Sequence, residues 1–309
     1  MNNPVLVSIL INNYNYGRFL RRAIDSALAQ TYPCIEVIVV DDGSTDNSRD
    51  IIAGYGNRII PILKENAGQA SAFNAGFGVS QGEIICFLDS DDFFNPEKVT
   101  KIVDIFDQNP YAGWLFHDLY HVNEEGQPIP LPWGKSVPET ELVDVRQDLV
   151  WGKVLRPGRP ATSGLCFKRS TLTKILPMPE GPSVSISDEF IKVAAHYLAP
   201  GLYCPEYLAA QRLHQSNIYT FSEHMGSLRS VIGVKTAYYL RERFPEIAAY
   251  TDKVFASSFG TLLGQWGLKR AINFHEARQY VKRHFPIHAW FLYAPRIAFN
   301  YIKRFIKKS

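Results

Sequence analysis

Cysteine is scarce in this chain of 309 residues: Cys34, Cys86, Cys166 and Cys204 lie 52, 80 and 38 residues apart. No two have the close spacing of a zinc site, and a chain long enough to build a sizeable core needs no disulfide framework. The four are read as reduced, mostly buried thiols of a cytoplasmic protein. Long apolar runs are also lacking. No stretch of about 18 or more apolar residues occurs, so no ordinary membrane span is expected. The nearest approach, Ile287–Ile302, is interrupted by Pro295, Arg296 and Asn300. The opening residues lack the basic flank, apolar stretch and cleavage site of a signal peptide. Glycine-rich phosphate loops are missing too, since Ile11 is followed by Asn12-Asn13-Tyr14-Asn15-Tyr16-Gly17. That segment fits neither the dinucleotide fingerprint nor the P-loop. There is no nucleophile elbow and no histidine pair at metal spacing on one helix. His117 and His121 stand four apart on a strand or turn and read as satisfied surface residues.

What is present is ordinary in amount and uneven in place. The chain is 46% hydrophobic and 20% charged, which argues against disorder, and its formal charge is +3. Residues 277–309 carry eight Lys/Arg and no Asp or Glu, leaving 25 basic against 30 acidic residues elsewhere. An acidic body with a basic tail is not a nucleic-acid-binding core.

The first 120 residues alternate short β-branched runs with helical patterns. Val5–Ile11, Ile35–Val40, Arg58–Leu63 and Glu83–Leu88 read as strands. Phe19, Leu20, Ala23, Ile24, Ala27 and Leu28 form one helical face. Asp46 is placed to cap a helix running to about Tyr55. Ala67–Val79 reads as a small-residue helix, and Asn95-Pro96-Glu97 starts another that runs to Gln108. The alternation implies an α/β fold with a mostly parallel sheet covered by helices on both faces. Ligands of such sheets collect beyond the carboxyl ends of the strands. Three strands end in polar clusters, Asn12–Asn15, Asp41–Asp46 and Asp89–Asp92, which should therefore share one sheet edge. Residues 123–160 read as a Pro- and Gly-rich excursion around a short helix, Leu142–Lys153. Residues 1–220 are expected to form one α/β domain, with a nucleotide-binding half (1–120) and an acceptor half (121–220). Residues 221–309 are expected to form a helical extension ending in the basic, aromatic tail.

Asp89-Ser90-Asp91-Asp92 puts three acids at a strand mouth, and Asp41-Asp42 adds two from a neighbouring strand. Close like charges are unfavourable unless a cation neutralises them, and Mg²⁺ or Mn²⁺ with a diphosphate is the usual solution. Turn and capping chemistry is the plainer account of Asp46, but one cap explains one Asp and not three.

Four ordered motifs carry a family resemblance: Ser8–Asn15, Val39–Asp46, Asn66–Gly76 and Phe87–Asp92. Together they resemble family 2 glycosyltransferases of the GT-A fold, closely over about residues 4–110 and more loosely over 160–220. The resemblance implies inverting transfer of one sugar from a nucleotide diphosphate sugar, by family habit a UDP-sugar, to an acceptor hydroxyl. It places Tyr14 and Asn12 against the donor's base, with Asp42 accepting a hydrogen bond from it. Gln69, in the Asn66–Gly76 stretch, flanks the ribose and sugar. Asp91 and Asp89 hold the divalent ion and the donor. Phe73 stands where the family often has Arg, so that cationic contact must come from elsewhere. Ser185–Phe190 loosely matches the segment that supplies the general base, which points to Asp188, with Glu189 as runner-up. Gln211–Asn217 resembles a segment of single-turnover members, in which Arg212 would meet the diphosphate and His214 the metal or a phosphate. The signature of processive synthases is absent.

The basic tail has two readings, an amphipathic segment on an anionic membrane surface or a helix packed on the protein with a solvated cationic face. The first suits peripheral placement on the inner membrane face and a glycan or lipid-linked acceptor in bacterial cell-surface glycan synthesis. Two other functions stay open. A sugar-phosphate nucleotidyltransferase would release pyrophosphate from a nucleoside triphosphate. A non-catalytic sugar-binding protein would be indifferent to Asp188→Asn.

Overall fold

The computed structural model describes residues 4–129, 139–153, 160–180, 186, 188–215, 225–285 and 287–306. Among these residues nine strands form one sheet: β1 (Val7–Asn13), β2 (Ile35–Asp42), β3 (Ile60–Lys64), β4 (Ile84–Asp89), β5 (Phe93–Phe94), β6 (Trp114–Val122), β7 (Glu141–Val143), β8 (Leu165–Lys168) and β9 (Gly201–Arg212). The helices interleaved with them are α1 (Gly17–Leu28), α2 (Ser48–Ala53), α3 (Gln69–Val79), α4 (Lys98–Gln108), α5 (Arg146–Val150), α6 (Arg169–Ile175) and α7 (Asp188–Leu198). Five more follow: α8 (Met225–Arg243), α9 (Ala248–Trp266), α10 (Leu268–Ile272), α11 (His275–His284) and α12 (Ile287–Ile306).

The strand order is β3-β2-β1-β4-β8-β6-β9-β5, with β7 on β9. The first four strands are mutually parallel, β8 runs antiparallel between β4 and β6, and β6 and β9 are again parallel. β1 is flanked on both sides and buried almost throughout, which explains its unbroken apolar run. The spacing read as a helical face in α1 does pack inward, with Phe19, Leu20, Ala23, Ile24 and Ala27 all buried. Cys86 and Cys166 sit opposite one another on β4 and β8, and all four cysteines are free thiols.

Register fixes the sheet edge. Asn12 of β1 stands opposite Asp89 of β4 on one side and Val40 of β2 on the other, and Asn13 stands opposite Asp41. Parallel strands in that register bring all three polar clusters to one edge.

Two expectations fail. The helix expected over Leu142–Lys153 is a short strand, β7, followed by α5; Glu141–Val143 pairs with β9, and this pairing overrides the local helical pattern. His117 is fully buried and not a surface residue, because β6 is an interior strand of the sheet.

The chain divides into two compact units. One comprises Met1–Asp144, Arg156–Val184 and Ile191–His214; the other comprises Val145–Leu155, Ser185–Phe190 and Gln215–Ser309. The second unit has its own core, in which Phe255 stacks on Tyr280 at 4.1 Å and on Phe259 at 5.2 Å.

Candidate active site

The ends of β1 and β2 are tied together by their own polar side chains. Asn13 donates to Asp41 Oδ2 (2.9 Å) and to Ser44 Oγ (3.1 Å). Asn15 Oδ1 accepts the Thr45 N–H (2.7 Å), and the Asn15 N–H donates to Ser44 Oγ (2.9 Å). Asn15 takes a left-handed backbone (φ 58°), tolerable for a short amide side chain. The outcome is a laced pair of loops that presents Tyr14 outward, 45% exposed. Asp41 is fully buried beneath them. Burial pushes its carboxyl up, but hydrogen bonds from Ser44, Arg49 and Asn13 outweigh that and hold it below the ordinary value. Asp46 serves the starts of two helices, accepting from the Gly17 N–H (2.8 Å) and from the Ser48 N–H (3.0 Å).

Asp42 is buried and its carboxylate is occupied within the protein. It pairs with Lys64 Nζ at 2.5 Å and accepts the N–H groups of Ala67 (3.1 Å) and Gly68 (2.8 Å). Gly68 has φ +86°, open to glycine at little cost, and this turns its N–H onto Asp42 just before α3 begins. Gly43 allows the close approach of this segment, since a Cβ there would lie 2.6 Å from Asn66 N. Asp42 thus fixes the start of the segment that carries Gln69. Further along, Asn74 clasps the Met178 peptide with both amide atoms (2.9 and 2.7 Å). Phe73, in the position where the family often has Arg, is buried against Phe87 at 4.6 Å.

At the end of β4, ligand atoms of Asp89, Asp91 and Asp92 all lie within 4.8 Å of one another. Their side chains differ in direction and company. Asp92 is buried and faces inward: Ser163 Oγ donates to its Oδ2 (2.6 Å) and the Arg212 N–H to its Oδ1 (2.8 Å). Burial, then the charges of Asp91 and Asp89, push its carboxyl well above the ordinary range. Ser163 also accepts the Asp89 N–H (3.1 Å), and its carbonyl accepts from Lys98 Nζ (2.8 Å). Lys98 is fully buried, with its ammonium 3.3 Å above the Phe94 ring. Burial lowers its pKa, opposed by the thiols of Cys166 and Cys86 and by Asp92.

Asp91 meets the other end of the motif set. His214 Nε2 is 3.0 Å from Asp91 Oδ2, and the His214 ring lies against Phe19 (4.7 Å) and edge-on to Tyr16 (5.4 Å). Arg212 is buried. Its Nε donates to the Asp91 carbonyl (2.9 Å), a terminal nitrogen donates to the Glu124 carbonyl, and its guanidinium lies 4.7 Å over Phe19. Ser216 and Asn217, which close that motif, lie outside the described residues.

Among the described residues, buried atoms with no hydrogen-bond partner include both amide atoms of Asn12 and Ser90 Oγ beside this cluster, and Gln69 Oε1 at the start of α3, beside the loop that Asp42 anchors. Buried polar atoms are nearly always satisfied, so such a grouping points to a missing partner. The first unit therefore brings Asn12, Asp89, Asp91, Arg212 and His214 together at one sheet edge, with Asp42 anchoring the neighbouring loop. Asp188 and Glu189 open α7 and belong to the second unit; Ser185 and Ser187 beside them lie outside the described residues. Carboxylate oxygens close together form a hard donor set, which fits Mg²⁺ or Mn²⁺ better than a thiophilic ion. Sequence reasoning missed Ser163 and Lys98, whose partners lie more than 60 residues away along the chain.

Residues 8–150 match the family model described as "Glycosyl transferase family 2". An uncharacterized glycosyltransferase of Nostoc sp. is 37% identical over 220 residues, covering 68% of this chain and 66% of that protein. Among solved structures, S. aureus TarS 1-349 in complex with UDP-GlcNAc has a TM-score of 0.56 at 19% identity, covering 97% of this chain and 82% of that one. The mannosyltransferase PcManGT of Pyrobaculum calidifontis, in complex with GDP-Man and Mn2+, has a TM-score of 0.52 at 16% identity, covering 99% and 89%. At such identity the two structures speak for the fold, which is the GT-A arrangement expected from the motifs. Ordered motifs, strand-end geometry and these likenesses agree: the chain belongs to glycosyltransferase family 2.

Proposed function

We propose that the chain moves one sugar from a nucleotide diphosphate sugar, with a UDP-sugar as first choice, to an acceptor hydroxyl with inversion. The observation that carries this is the meeting, at one edge of the sheet, of clustered carboxylates with buried and unpartnered polar atoms of Asn12, Ser90 and Gln69. Nucleotide-sugar complexes of TarS and PcManGT support the same class of donor.

In this reading Tyr14 and Asn12 receive the base. Asp42 acts through the loop that it anchors, and Gln69 faces the ribose and sugar. Asp89 and Asp91 hold Mg²⁺ or Mn²⁺, with His214 oriented on Asp91. Bound there, the ion offsets negative charge developing on the departing diphosphate. Arg212 works by holding the Asp91 carbonyl, and a contact with the diphosphate is the further role carried over from the family. Asp188, with Glu189 as runner-up, takes the acceptor proton as general base. The acceptor is a glycan or lipid-linked glycan of the bacterial cell surface, and residues 277–309 place the protein on the inner membrane face.

Titration calorimetry with UDP- and GDP-sugars, with and without Mn²⁺, tests this. Metal-dependent binding that Asp91→Ala weakens at least about a hundredfold is expected. No metal-dependent binding of any nucleoside diphosphate would refute it.

A further inference from the structure

Helix α12 turns one face inward and exposes the other to solvent. Ala289, Tyr293 and Ile297 are buried in the core of the second unit. A Cβ at Gly260 of α9 would fall 2.5 Å from the Ile297 carbonyl oxygen, so the two backbones meet closely on that side. Every exposed residue from Phe291 to Ile302 is apolar or aromatic. Phe291 is 80% exposed, Leu292 69%, Phe299 63% and Ile302 50%. Positions 291, 295, 299 and 302 follow one another along a single face at helical spacing, over roughly 17 Å. A surface helix normally carries its polar residues there, and a helix apolar all round is covered on all sides. Pro295 sits on the exposed face, where its missing N–H leaves the packing against α9 untouched.

The charge of this segment selects what covers the face. Residues 277–309 hold eight Lys/Arg and no Asp or Glu. Arg296 is half-buried one turn from Leu292, and Lys303 occupies the position one turn beyond Phe299. Docking two copies face to face would set two such cationic segments against each other. An anionic bilayer instead attracts the cations and receives the rings. Among the described residues no helix is long and apolar enough to cross a membrane, so the helix must lie in the surface plane. We propose that the Phe291–Ile302 face of α12 inserts into the interface of an anionic bilayer, with the helix parallel to the surface. This deepens the membrane part of the function proposed above and stands independently of the sugar transfer.

Full-length protein sedimented with vesicles tests the docking face. Vesicles are phosphatidylcholine alone, or with about one-third phosphatidylglycerol. The wild type is expected to bind the anionic vesicles at least about tenfold more tightly than the neutral ones. Phe291→Ser with Phe299→Ser should weaken that binding about a hundredfold, and Leu292→Ser alone about tenfold. All three positions are solvent-exposed, so far-UV circular dichroism and nucleotide-sugar hydrolysis in solution should not change. Equal binding by wild type and double variant, or equal binding to both vesicle types, overturns the proposal. So does a wild-type dimer that Phe299→Ser dissociates and that binds neither vesicle. Vesicle binding by a wild type that hydrolyses no nucleotide sugar would support the docking face while counting against the sugar transfer.

Discussion

His117 offers a clean test of the buried polar layer behind the strand ends. It is fully buried in β6, and its Nδ1 lies 2.8 Å from the Asp118 carbonyl oxygen, so Nδ1–H donates and Nε2 is left bare. Burial, and then the Lys98 ammonium, push its pKa well below the ordinary 6.5, against a smaller opposing effect of the Asp118 hydrogen bond. The folded state therefore holds it neutral, while the unfolded chain takes up a proton near 6.5. A depressed histidine contributes stability that is fully present above that value and is lost as pH falls from there toward the folded value. Its share of the loss between about pH 7.5 and about pH 5.5 has an upper limit of roughly 1.4 kcal/mol, reached where the folded imidazole takes up no proton in that interval. His121, also lowered by burial, adds in the same direction, so the comparison needs a variant. His117→Asn keeps an amide donor near the Asp118 carbonyl and removes the titration. Urea denaturation should show the wild type losing more stability than this variant over that interval, by up to roughly 1.4 kcal/mol. Lys98→Met should move the His117 imidazole resonance toward a higher titration midpoint, since one of its two depressing causes is gone. Parallel loss in wild type and His117→Asn, or an imidazole that titrates at or above the ordinary value, would refute the reasoning.

Three further outcomes are expected. Ser163→Ala removes the hydroxyl shared by Asp92 and the Asp89 N–H; urea denaturation should show a cost of about 2–4 kcal/mol, and calorimetry a weaker metal affinity. A variant as stable as wild type would mean that this hydroxyl is replaceable by water. Asp41→Asn should destabilise at neutral pH by about 2–3 kcal/mol. Against the upward push of burial, hydrogen bonding holds Asp41 below its ordinary 3.8, so its contribution is present above that value and fades as pH falls through the lower folded value. The gap between variant and wild type should therefore narrow in acid, and a constant gap would contradict it. Asp188→Asn should lower kcat by about 10²–10⁴ with donor affinity unchanged; full activity with Glu189→Gln inactive would transfer the role to Glu189.

How much of this was legible in the sequence depends on whether the cue was local. Strand ends were readable because an apolar run and the polar residues that stop it are adjacent, and parallel pairing then carries Asn12, Asp42 and Asp89 to one edge. The start of α4 shows the limit. Asn95-Pro96-Glu97 reads as a helix start, but α4 begins after it, at Lys98, and the Asn95 side chain bonds Tyr207 and Tyr120 instead of capping; nothing local sets apart that lysine. Lys98 is nonetheless fully buried, because β8 and the turn before it bring the Ser163 carbonyl to its ammonium from 65 residues away. The failed helix at 142–153 has the same cause, a partner strand that local propensity does not contain. The aspartates sharpen the point. Counting charge treats Asp89, Asp91 and Asp92 alike, and one cap indeed cannot explain all three. Yet Asp92 faces inward, with both oxygens taken by Ser163 and the Arg212 N–H, so it ties β4 to the end of β9. One acid of the three is thereby committed to the protein's own packing, and the cation proposed above falls to Asp89 and Asp91. That division follows from side-chain direction at a turn, which depends on what packs beneath it and not on the order of letters.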